Sequence, residues 1–346
     1  MAMTDVTVRG AGIFGLSIAW ACARRGAVVQ VIDPAGPGAG ASGGLVGALA
    51  PHVPENWNAK KAFQLDSLLM SETFWAEVQA TGGVSAGYGR TGRVQPINDA
   101  HALNLARQRA VNAETLWQGR ASWTARPVAE IGPFAPPSAT GYVIHDTLSA
   151  RMHPRQACAA LVAALETMGV PVRDTGTDRG RVIHATGAAG LADLSRAMGK
   201  PVGGAVKGQA ALLRFDAADA PQLYVDGLHL VPHADHTLAI GSTSERDYED
   251  ATGTDEALEA LIERAMTLVP VLHGAVVIER WAGLRPRAKS RAPMLGPYPD
   301  RPGHFIANGG FKIGFGMAPK VAQVMADLVL EDQDAIPDDF RVSASL

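Results

Sequence analysis

"VTVRGAGIFGLSIAWACARRGAVVQVIDP", residues 6–34, decides the fold of this chain. A short apolar stretch ending at Val8 predicts a buried strand, and an apolar helical run and a second apolar strand at 28–32 follow, ending at Asp33. Between the first strand and the helix lies a G-x-G-x-x-G pattern made by Gly10, Gly12 and Gly15. This order of strand, glycine turn, helix, strand and acid predicts a β-α-β unit that binds a dinucleotide.

Each part of the pattern has a mechanical reason. Gly10 permits a tight turn, Gly12 lets the backbone approach a pyrophosphate, and Gly15 lets the helix pack on the strand. The N-terminus of the helix offers free N–H groups and the positive end of its dipole to phosphates. The Asp33 carboxylate suits ribose hydroxyls and would repel a 2′-phosphate. The pattern alone does not separate FAD from NAD.

Length and charge narrow the class of protein further. A chain of 346 residues exceeds what one hydrophobic core usually serves, so we expect two lobes. It is 47% hydrophobic and carries a net charge of −3, which argues against binding nucleic acid over the whole surface. The two cysteines, Cys22 and Cys158, make neither a disulfide framework nor metal-ligand spacing, and we expect both to be buried thiols.

The first 23 residues include an apolar stretch but lack the basic beginning of a signal peptide, and they run into "ARRG" instead of a cleavage site. No apolar run in the chain has the length needed to span a bilayer. We therefore expect a soluble, cytoplasmic protein.

Three further segments are rich in small residues. Residues 34–51, "PAGPGAGASGGLVGALAP", form a flexible stretch whose backbone could approach a ligand. Residues 181–190, "RVIHATGAAG", predict a third strand. Residues 303–330 predict a strand, a glycine-rich loop and an amphipathic helix opened by Pro319 near its first turn. That helix offers a second positive N-terminus to an anionic ring.

Taken in order, these segments resemble the FAD-dependent D-amino-acid oxidase superfamily, and within it the glycine oxidase and sarcosine oxidase-like branch. The matching pieces cover nearly the whole chain: "GAGIFGLSIAW", "VIDP", "ASGGLVGAL", "MHPRQACAALVAAL", "VIHATG", "VKGQ", "LVPH", "LAIGSTSE", "WAGLRPRAKSRAPMLG" and "GGFKIGFGMAPKVA". The resemblance implies FAD as cofactor, held without a covalent bond. It also implies oxidation of an amine next to a carboxylate, with hydride transfer to the flavin and hydrolysis of the imine.

The implied fold is α/β, with a Rossmann-like FAD-binding domain of the glutathione-reductase-like kind and a discontinuous mixed α+β substrate domain. The FAD-binding domain would comprise residues 1–82, 146–199 and 292–346. The substrate-binding domain would comprise residues 83–145 and 200–291.

Helices are expected at 58–80, 99–117, 154–168 and 255–269. Segment 170–181 is shorter than the set of strands that family members usually carry there. The sequence resembles a trimmed version, so we expect the adenine side of the site to differ in detail.

The cofactor-binding residues that the motifs and the resemblance together predict are Gly10, Gly12, Ile13, Phe14, Gly15, Asp33, Pro34, Ala41, Ser42, Gly43, Ala185, Thr186, Gly187, Gly310, Phe311, Lys312, Ile313 and Gly314. Most of them are small residues whose backbone can come close to a ligand.

Four residues are candidates for the chemistry. Arg285, in "GLRP", matches the arginine of the family that binds the substrate carboxylate, and a planar guanidinium suits a bidentate carboxylate. Lys312 stands where related proteins often have a second arginine, and it could stabilise negative charge on the reduced ring or contact the substrate. His229 stands where the family often has a tyrosine, which points to an amine other than glycine, and His52 is a weaker candidate for the same cavity.

The rest of the basic run, Arg287, Lys289 and Arg291, is interpreted as a solvated turn or a rim that attracts anionic substrates. We predict no metal site: His229 and His233 would share one face of a strand, but His236 would not, and no fourth ligand stands nearby.

Two other functions remain open. The chain also resembles the oxidoreductase domain that acts on carboxymethylaminomethyl-uridine in tRNA, a substrate that is itself an N-substituted glycine. It could also be a flavin-binding subunit without turnover of its own. The leading interpretation expects a small amine or amino-acid substrate and oxygen or another electron acceptor, and leaves the oligomeric state undetermined.

Overall fold

The computed structural model describes residues 5–346. Its first elements are strand β1 (Asp5–Arg9), helix α1 (Ile13–Arg24) and strand β2 (Val28–Ile32), which confirms the β-α-β prediction. The two strands pair in parallel, with the alternate apolar residues buried in the core. The first four residues of the predicted FAD-binding segment 1–82 lie outside the described part of the chain.

The remaining elements are, in chain order, β3 (Gly47–Leu49), α2 (Ala59–Gly82), β4 (Arg93–Pro96), α3 (Ala100–Leu116), β5 (Trp123–Pro127), β6 (Tyr142–Asp146), β7 (Ala150–Met152), α4 (Pro154–Thr167), β8 (Val172–Arg173), β9 (Arg181–His184), α5 (Gly187–Ala197), β10 (Gly203–Arg214), β11 (Gln222–Val225), β12 (Leu228–Pro232), β13 (Thr237–Gly241), α6 (Glu256–Leu268), β14 (Val276–Ala288), β15 (Met294–Pro297), β16 (His304–Asn308) and α7 (Gly314–Glu331).

One sheet has six strands in the order β15-β16-β9-β1-β2-β8. All of its pairs are parallel except the pair of β15 with β16. Helices α1, α2, α4 and α7 pack together in the main hydrophobic core on this sheet. Because the carboxyl ends of parallel strands meet at one edge, the segments that follow β1, β2, β9 and β16 come together there.

A second sheet has eight strands in the order β14-β10-β13-β12-β11-β4-β6-β5. It is antiparallel apart from the parallel pair of β11 with β4. Helix α6 covers one side and buries the apolar face that its sequence pattern predicts, including Leu258, Leu261 and Ala265. A small pair, β3 with β7, completes the strands.

The six-stranded sheet draws its strands from three separate parts of the chain, 5–32, 172–184 and 294–308, and the eight-stranded sheet draws its strands from 93–146 and 203–288. The α/β class is therefore confirmed, with one mainly parallel and one mainly antiparallel sheet. The exact domain boundaries given above stay a prediction.

The four predicted helices are present with ends within two residues of the expected ones. Each begins after a polar side chain that accepts a hydrogen bond from a backbone N–H of the first turn: Asn58, Asp99, His153 and Asp255. Such N-caps satisfy donors that the helix itself leaves unpaired. The shortened segment before β9 holds only the two-residue strand β8.

The start of the last helix was predicted wrongly. Helix α7 begins at Gly314, so Pro319 lies inside it and does not open it. A proline at this position removes one backbone donor, which leaves the carbonyl of Phe315 without its usual helical partner. Burial of the helix in the main core compensates, since Ala318, Val321 and Val329 are fully buried there.

Candidate active site

The glycine turn between β1 and α1 is held tightly against the end of β9. Gly10 has φ +104°, and a Cβ at this position would come within 2.7 Å of the Ala185 carbonyl carbon. Both the backbone conformation and the space therefore require glycine here. The N–H of Ala11 donates to Asp33 Oδ2 at 2.7 Å, and the other oxygen of this carboxylate accepts from the Ala35 N–H at 3.0 Å.

The small-residue loop after β2 folds over the N-terminus of α1. Ser42 Oγ accepts a hydrogen bond from the N–H of Ile13 at 2.9 Å, and the N–H of Gly38 donates to the Ala11 carbonyl at 2.9 Å. The serine hydroxyl thus sits at the first turn of the helix, where an anion would be expected. Sequence analysis named Ser42 as cofactor-binding without predicting this contact.

The end of β9 and the glycine-rich loop after β16 join the same edge. The N–H of Ala185 donates to the Arg9 carbonyl at 2.7 Å, and Asn308 Nδ2 donates to the Gly187 carbonyl at 2.9 Å. Gly310 lies against Phe14, because a Cβ on it would be 2.9 Å from Phe14 Cζ.

The structure therefore brings together, at the carboxyl edge of the parallel sheet, the segments that hold the predicted cofactor residues. Pro34, Ala41, Gly43, Thr186, Ile313 and Gly314 lie on these same segments. The role of each residue stays a prediction.

The donor chemistry at this edge fits a dinucleotide with an anionic ring. Helices α1 and α7 both begin here, and neither has an acidic residue in its first turn or a side-chain cap from its own N-cap residue. Their positive dipole ends are therefore not neutralised from within the helix, which suits a pyrophosphate at one and an anionic ring at the other.

Arg285 lies on β14 opposite Val206 of β10 and is only 7% exposed. Its Nη2 donates to the Thr243 carbonyl at 3.0 Å, while Nη1 is buried with no hydrogen-bond partner in the part of the chain that the structure describes. Burial lowers the pKa of Arg285 to about 10, although the negative charge of Glu245 acts to raise it. The side chain is therefore charged at neutral pH and has unused donors.

Lys312 is a second cation in the same region, and its residue is exposed. Burial, and then the positive charge of Arg285, lower the pKa of the Lys312 ammonium. The N–H of Phe311 donates to the Pro286 carbonyl at 3.0 Å, which joins the glycine-rich loop to β14. The two positive charges disfavour each other, so an anion bound near both would be stabilised.

The interpretation of the basic run as a solvated turn is wrong for Arg287. Strand β14 continues to Ala288, so Arg287 is half-buried on the strand, and its Cζ lies 5.5 Å from the centroid of the Phe311 ring. Lys289 and Arg291 are exposed in the turn that follows, as predicted.

His229 lies on β12 and faces Tyr224 of β11, its cross-strand partner, with ring centroids 4.7 Å apart. Burial, and then the positive charges of Arg93 and Lys312, lower the pKa of His229 to about 3. The imidazole is therefore neutral at physiological pH, and its buried Nδ1 has no hydrogen-bond partner among residues 5–346.

His52 follows β3 and is tied to α2, because its backbone N–H and its Nδ1 both contact Gln64 Oε1. Burial lowers the pKa of His52, a hydrogen bond from its ring to Gln64 Oε1 opposes this, and the charges of Lys60, Lys61 and Arg93 lower it further. The charge of Arg93 thus lowers the pKa of both His52 and His229.

Sequence reasoning missed two residues of this region. Arg93 is buried on β4 and paired with the buried Asp146 at 3.0 Å, and Tyr224 stands beside His229. The Asp226-Gly227 turn could have predicted the hairpin that pairs Tyr224 with His229, whereas the parallel pairing that brings in Arg93 has no signal in the sequence.

The histidines of "HLVPHADH" point to different neighbours. His233 packs on His153, with ring centroids 4.5 Å apart, and the exposed His236 lies 2.9 Å from Asp216.

Burial raises the pKa of the Cys22 and Cys158 thiols to about 12, so both are neutral at physiological pH. Between Asp5 and Leu346, no helix is long and apolar enough to cross a membrane.

Comparison with known proteins places the chain in a family. The model of the DAO family, described as FAD dependent oxidoreductase, matches residues 5–328. Glycine oxidase from Geobacillus kaustophilus is 25% identical over 362 aligned residues that cover 96% of this chain and 94% of that protein. Glycine oxidase from Pseudomonas putida is 36% identical, but over 125 residues that cover 36% of this chain and 34% of that protein.

Comparison with solved structures finds one of the same relatives. The crystal structure of glycine oxidase from Geobacillus kaustophilus superposes with a TM-score of 0.82 at 22% identity and covers 99% of both chains. A likeness at this level of identity concerns the fold alone, whereas the family match covers nearly all of the sequence. The chain therefore belongs to the DAO family of FAD-dependent oxidoreductases, and its cofactor is FAD.

Proposed function

We propose that this enzyme oxidises the C–N bond of a small amino acid or N-alkyl amino acid whose carboxylate binds to Arg285. The observation that carries the proposal is the buried guanidinium of Arg285, whose Nη1 is unpaired among the described residues, with the positive charge of the exposed Lys312 nearby.

A buried charge is costly unless it is paired and hydrogen-bonded. Here the protein supplies one carbonyl, that of Thr243, to a group with five N–H donors. A carboxylate would pair with the unused Nη1 and neutralise part of the positive charge of the region. The relatives named glycine oxidase support an amino-acid substrate, since an amino acid carries such a carboxylate next to its amine.

FAD, when bound, accepts a hydride from the carbon that carries the amine. The residues of this chain orient the substrate for that transfer, and positioning can supply much of the barrier reduction. Arg285 would fix the carboxylate, and Lys312 would add positive charge beside it. His229 is neutral and can accept or donate a hydrogen bond to the substrate amine without adding a third charge.

The test is anaerobic mixing of the purified holoenzyme with glycine, sarcosine, L-proline and D-alanine, each separately, while the yellow flavin absorption is followed. We expect at least one of these compounds to bleach the band, and the imine product to hydrolyse to an oxo acid and an amine or ammonia. Bound FAD that none of them bleaches would contradict the proposal and would favour a tRNA substrate or a flavin-binding subunit without turnover.

A further inference from the structure

The guanidinium of Arg285 lies across the neighbouring strand, directly over Gly208. In the β10–β14 ladder Gly208 pairs with Gly283, and Val206 pairs with Arg285 itself. A Cβ built on Gly208 would overlap Nη2 and Cζ of Arg285 and would lie 2.7 Å from its Nε. The side chain of Arg285 thus fills the space that any other residue at 208 would need.

The backbone does not require glycine at this position. Gly208 is not among the positive-φ glycines of the described chain, and it lies within a regular antiparallel pairing. Alanine is otherwise preferred to glycine in the middle of a strand. What position 208 demands is the absence of a side chain, not an unusual conformation.

The carbonyl that anchors Arg285 is itself fixed to β10. The N–H of Thr243 donates to the Gln209 carbonyl at 3.1 Å, and the N–H of Gln209 donates to Thr243 Oγ1 at 2.7 Å. One step further, Lys207 and Glu245 exchange two backbone hydrogen bonds of 2.9 Å each. The segment that carries the Thr243 carbonyl is therefore held on both sides of Gly208.

The nearby carboxylate is engaged elsewhere. Glu245 Oε1 accepts from Gln209 Nε2 at 3.1 Å and contacts Thr243 Oγ1, and Glu245 Oε2 lies 3.7 Å from Lys207 Nζ. These contacts hold Glu245 in a network with Gln209, Thr243 and Lys207 and do not include Arg285. The network therefore leaves Nη1 available.

We propose that Gly208 is a positioning residue: the space above its Cα is the seat that holds the Arg285 guanidinium against the Thr243 carbonyl, with Nη1 free for the substrate carboxylate. This rests on the proposed function, because the seat matters only if Arg285 binds a carboxylate. A methyl group at position 208 would push the guanidinium out of its place while leaving its charge in the site.

The test compares Gly208→Ala with the control Gly204→Ala on the same strand, where an added Cβ meets nothing within 4 Å. Glycolate is titrated into each holoenzyme and its Kd is read from the change in flavin absorption. We expect Gly208→Ala to weaken glycolate binding on the order of 10²-fold, within the range found when a buried charged contact is lost. Gly204→Ala should bind glycolate as the wild type does.

A double-mutant cycle with Arg285→Ala separates positioning from a general structural effect. If Gly208 acts through Arg285, the double variant should have the Kd of Arg285→Ala alone. Additive effects of the two substitutions on the Kd would contradict the positioning role of Gly208 and leave the proposed function intact. The same holds if Gly208→Ala binds glycolate as tightly as the wild type while Arg285→Ala binds it weakly. An Arg285→Ala variant with an unchanged Kd would overturn the proposed carboxylate clamp itself.

The same cycle covers the case in which Gly208→Ala does not fold. Removing the Arg285 side chain frees the space, so the double variant is then expected to fold with a Tm close to that of Arg285→Ala. A double variant that also fails to fold would contradict the positioning role proposed for Gly208.

Discussion

Arg285 differs from an ordinary surface arginine in what surrounds it. Burial shifts its pKa toward neutrality, to about 10, but the group still carries its charge at physiological pH. One donor is committed to the Thr243 carbonyl, and Nη1 has no partner among residues 5–346. Exposed ion pairs are worth little, whereas a buried charge that loses its partner is expensive. The binding of a carboxylate at this residue should therefore be strong and specific.

Replacing Arg285 with alanine should raise the KM for an amino-acid substrate, because the carboxylate loses its bidentate partner. Removing one member of a buried charge pair costs about 2–5 kcal/mol, or roughly 30- to 4,000-fold. Arg285→Lys should recover only part of the loss, since an ammonium keeps the charge without the planar fork. Steady-state kinetics measure both effects, with the exposed Lys289→Ala as control, and an unchanged KM in Arg285→Ala would refute the clamp.

At the scale of elements, the glycine turn between β1 and α1 depends on a single close approach. Gly10 combines a positive φ with direct contact to the backbone at the end of β9. A side chain there would separate the two strand ends that present the cofactor segments. Strain at such a position costs of order 1–3 kcal/mol, and the space conflict adds to it.

Gly10→Ala should therefore lose FAD. We expect purified Gly10→Ala to have a markedly lower ratio of flavin absorbance to protein absorbance than the wild type. Gly40→Ala is the matched control, because Gly40 lies in the adjacent loop with negative φ and open space around its Cα. Full flavin content in Gly10→Ala would show that the turn does not govern cofactor binding.

Local patterns predicted the elements well, and pairing between distant segments explains what they missed. The four helices follow from apolar periodicity and N-caps, both of which are local. Tyr224 meets His229 across a hairpin, and its Asp226-Gly227 turn is a local signal in the sequence. Arg93 is brought into this sheet because β4 pairs in parallel with β11, far along the chain, and that pairing has no local signature. The start of α7 was predicted wrongly because a proline favours the first turn of a helix. Here the buried helix begins at Gly314, before Pro319.

At the scale of the whole molecule, several histidines are buried in the neutral form. Burial first, and nearby positive charges second, lower the pKa of His229 to about 3 and those of His184 and His233 to about 4. Because the unfolded chain binds protons near pH 6.5, it holds more protons than the folded chain between about pH 4 and 6.5. Stability should therefore fall as the pH drops through this window.

Urea unfolding at pH 7, 6 and 5 measures the effect. We expect the free energy of unfolding to decrease steadily on acidification, and His233→Asn to reduce the proton uptake on unfolding by about one. Asparagine can keep the hydrogen bond that His233 Nδ1 makes with Thr237 Oγ1 at 3.1 Å, but it does not titrate. Identical pH dependence in the wild type and in this variant would exclude His233 from the effect.

The proposed function requires a carboxylate held by Arg285 beside FAD, and pairs of amines with and without a carboxylate test this most directly. The wild-type holoenzyme is mixed anaerobically with glycine or methylamine, and with sarcosine or dimethylamine, and the rate of flavin reduction is compared within each pair. Methylamine and dimethylamine lack the carboxylate and would leave the buried donor of Arg285 unpaired. A site of this kind discriminates against such an analogue by about 10⁴-fold. We predict that only the carboxylate-bearing member of at least one pair reduces the flavin at an appreciable rate. Equal rates of flavin reduction within both pairs would contradict the proposed binding of the substrate carboxylate by Arg285.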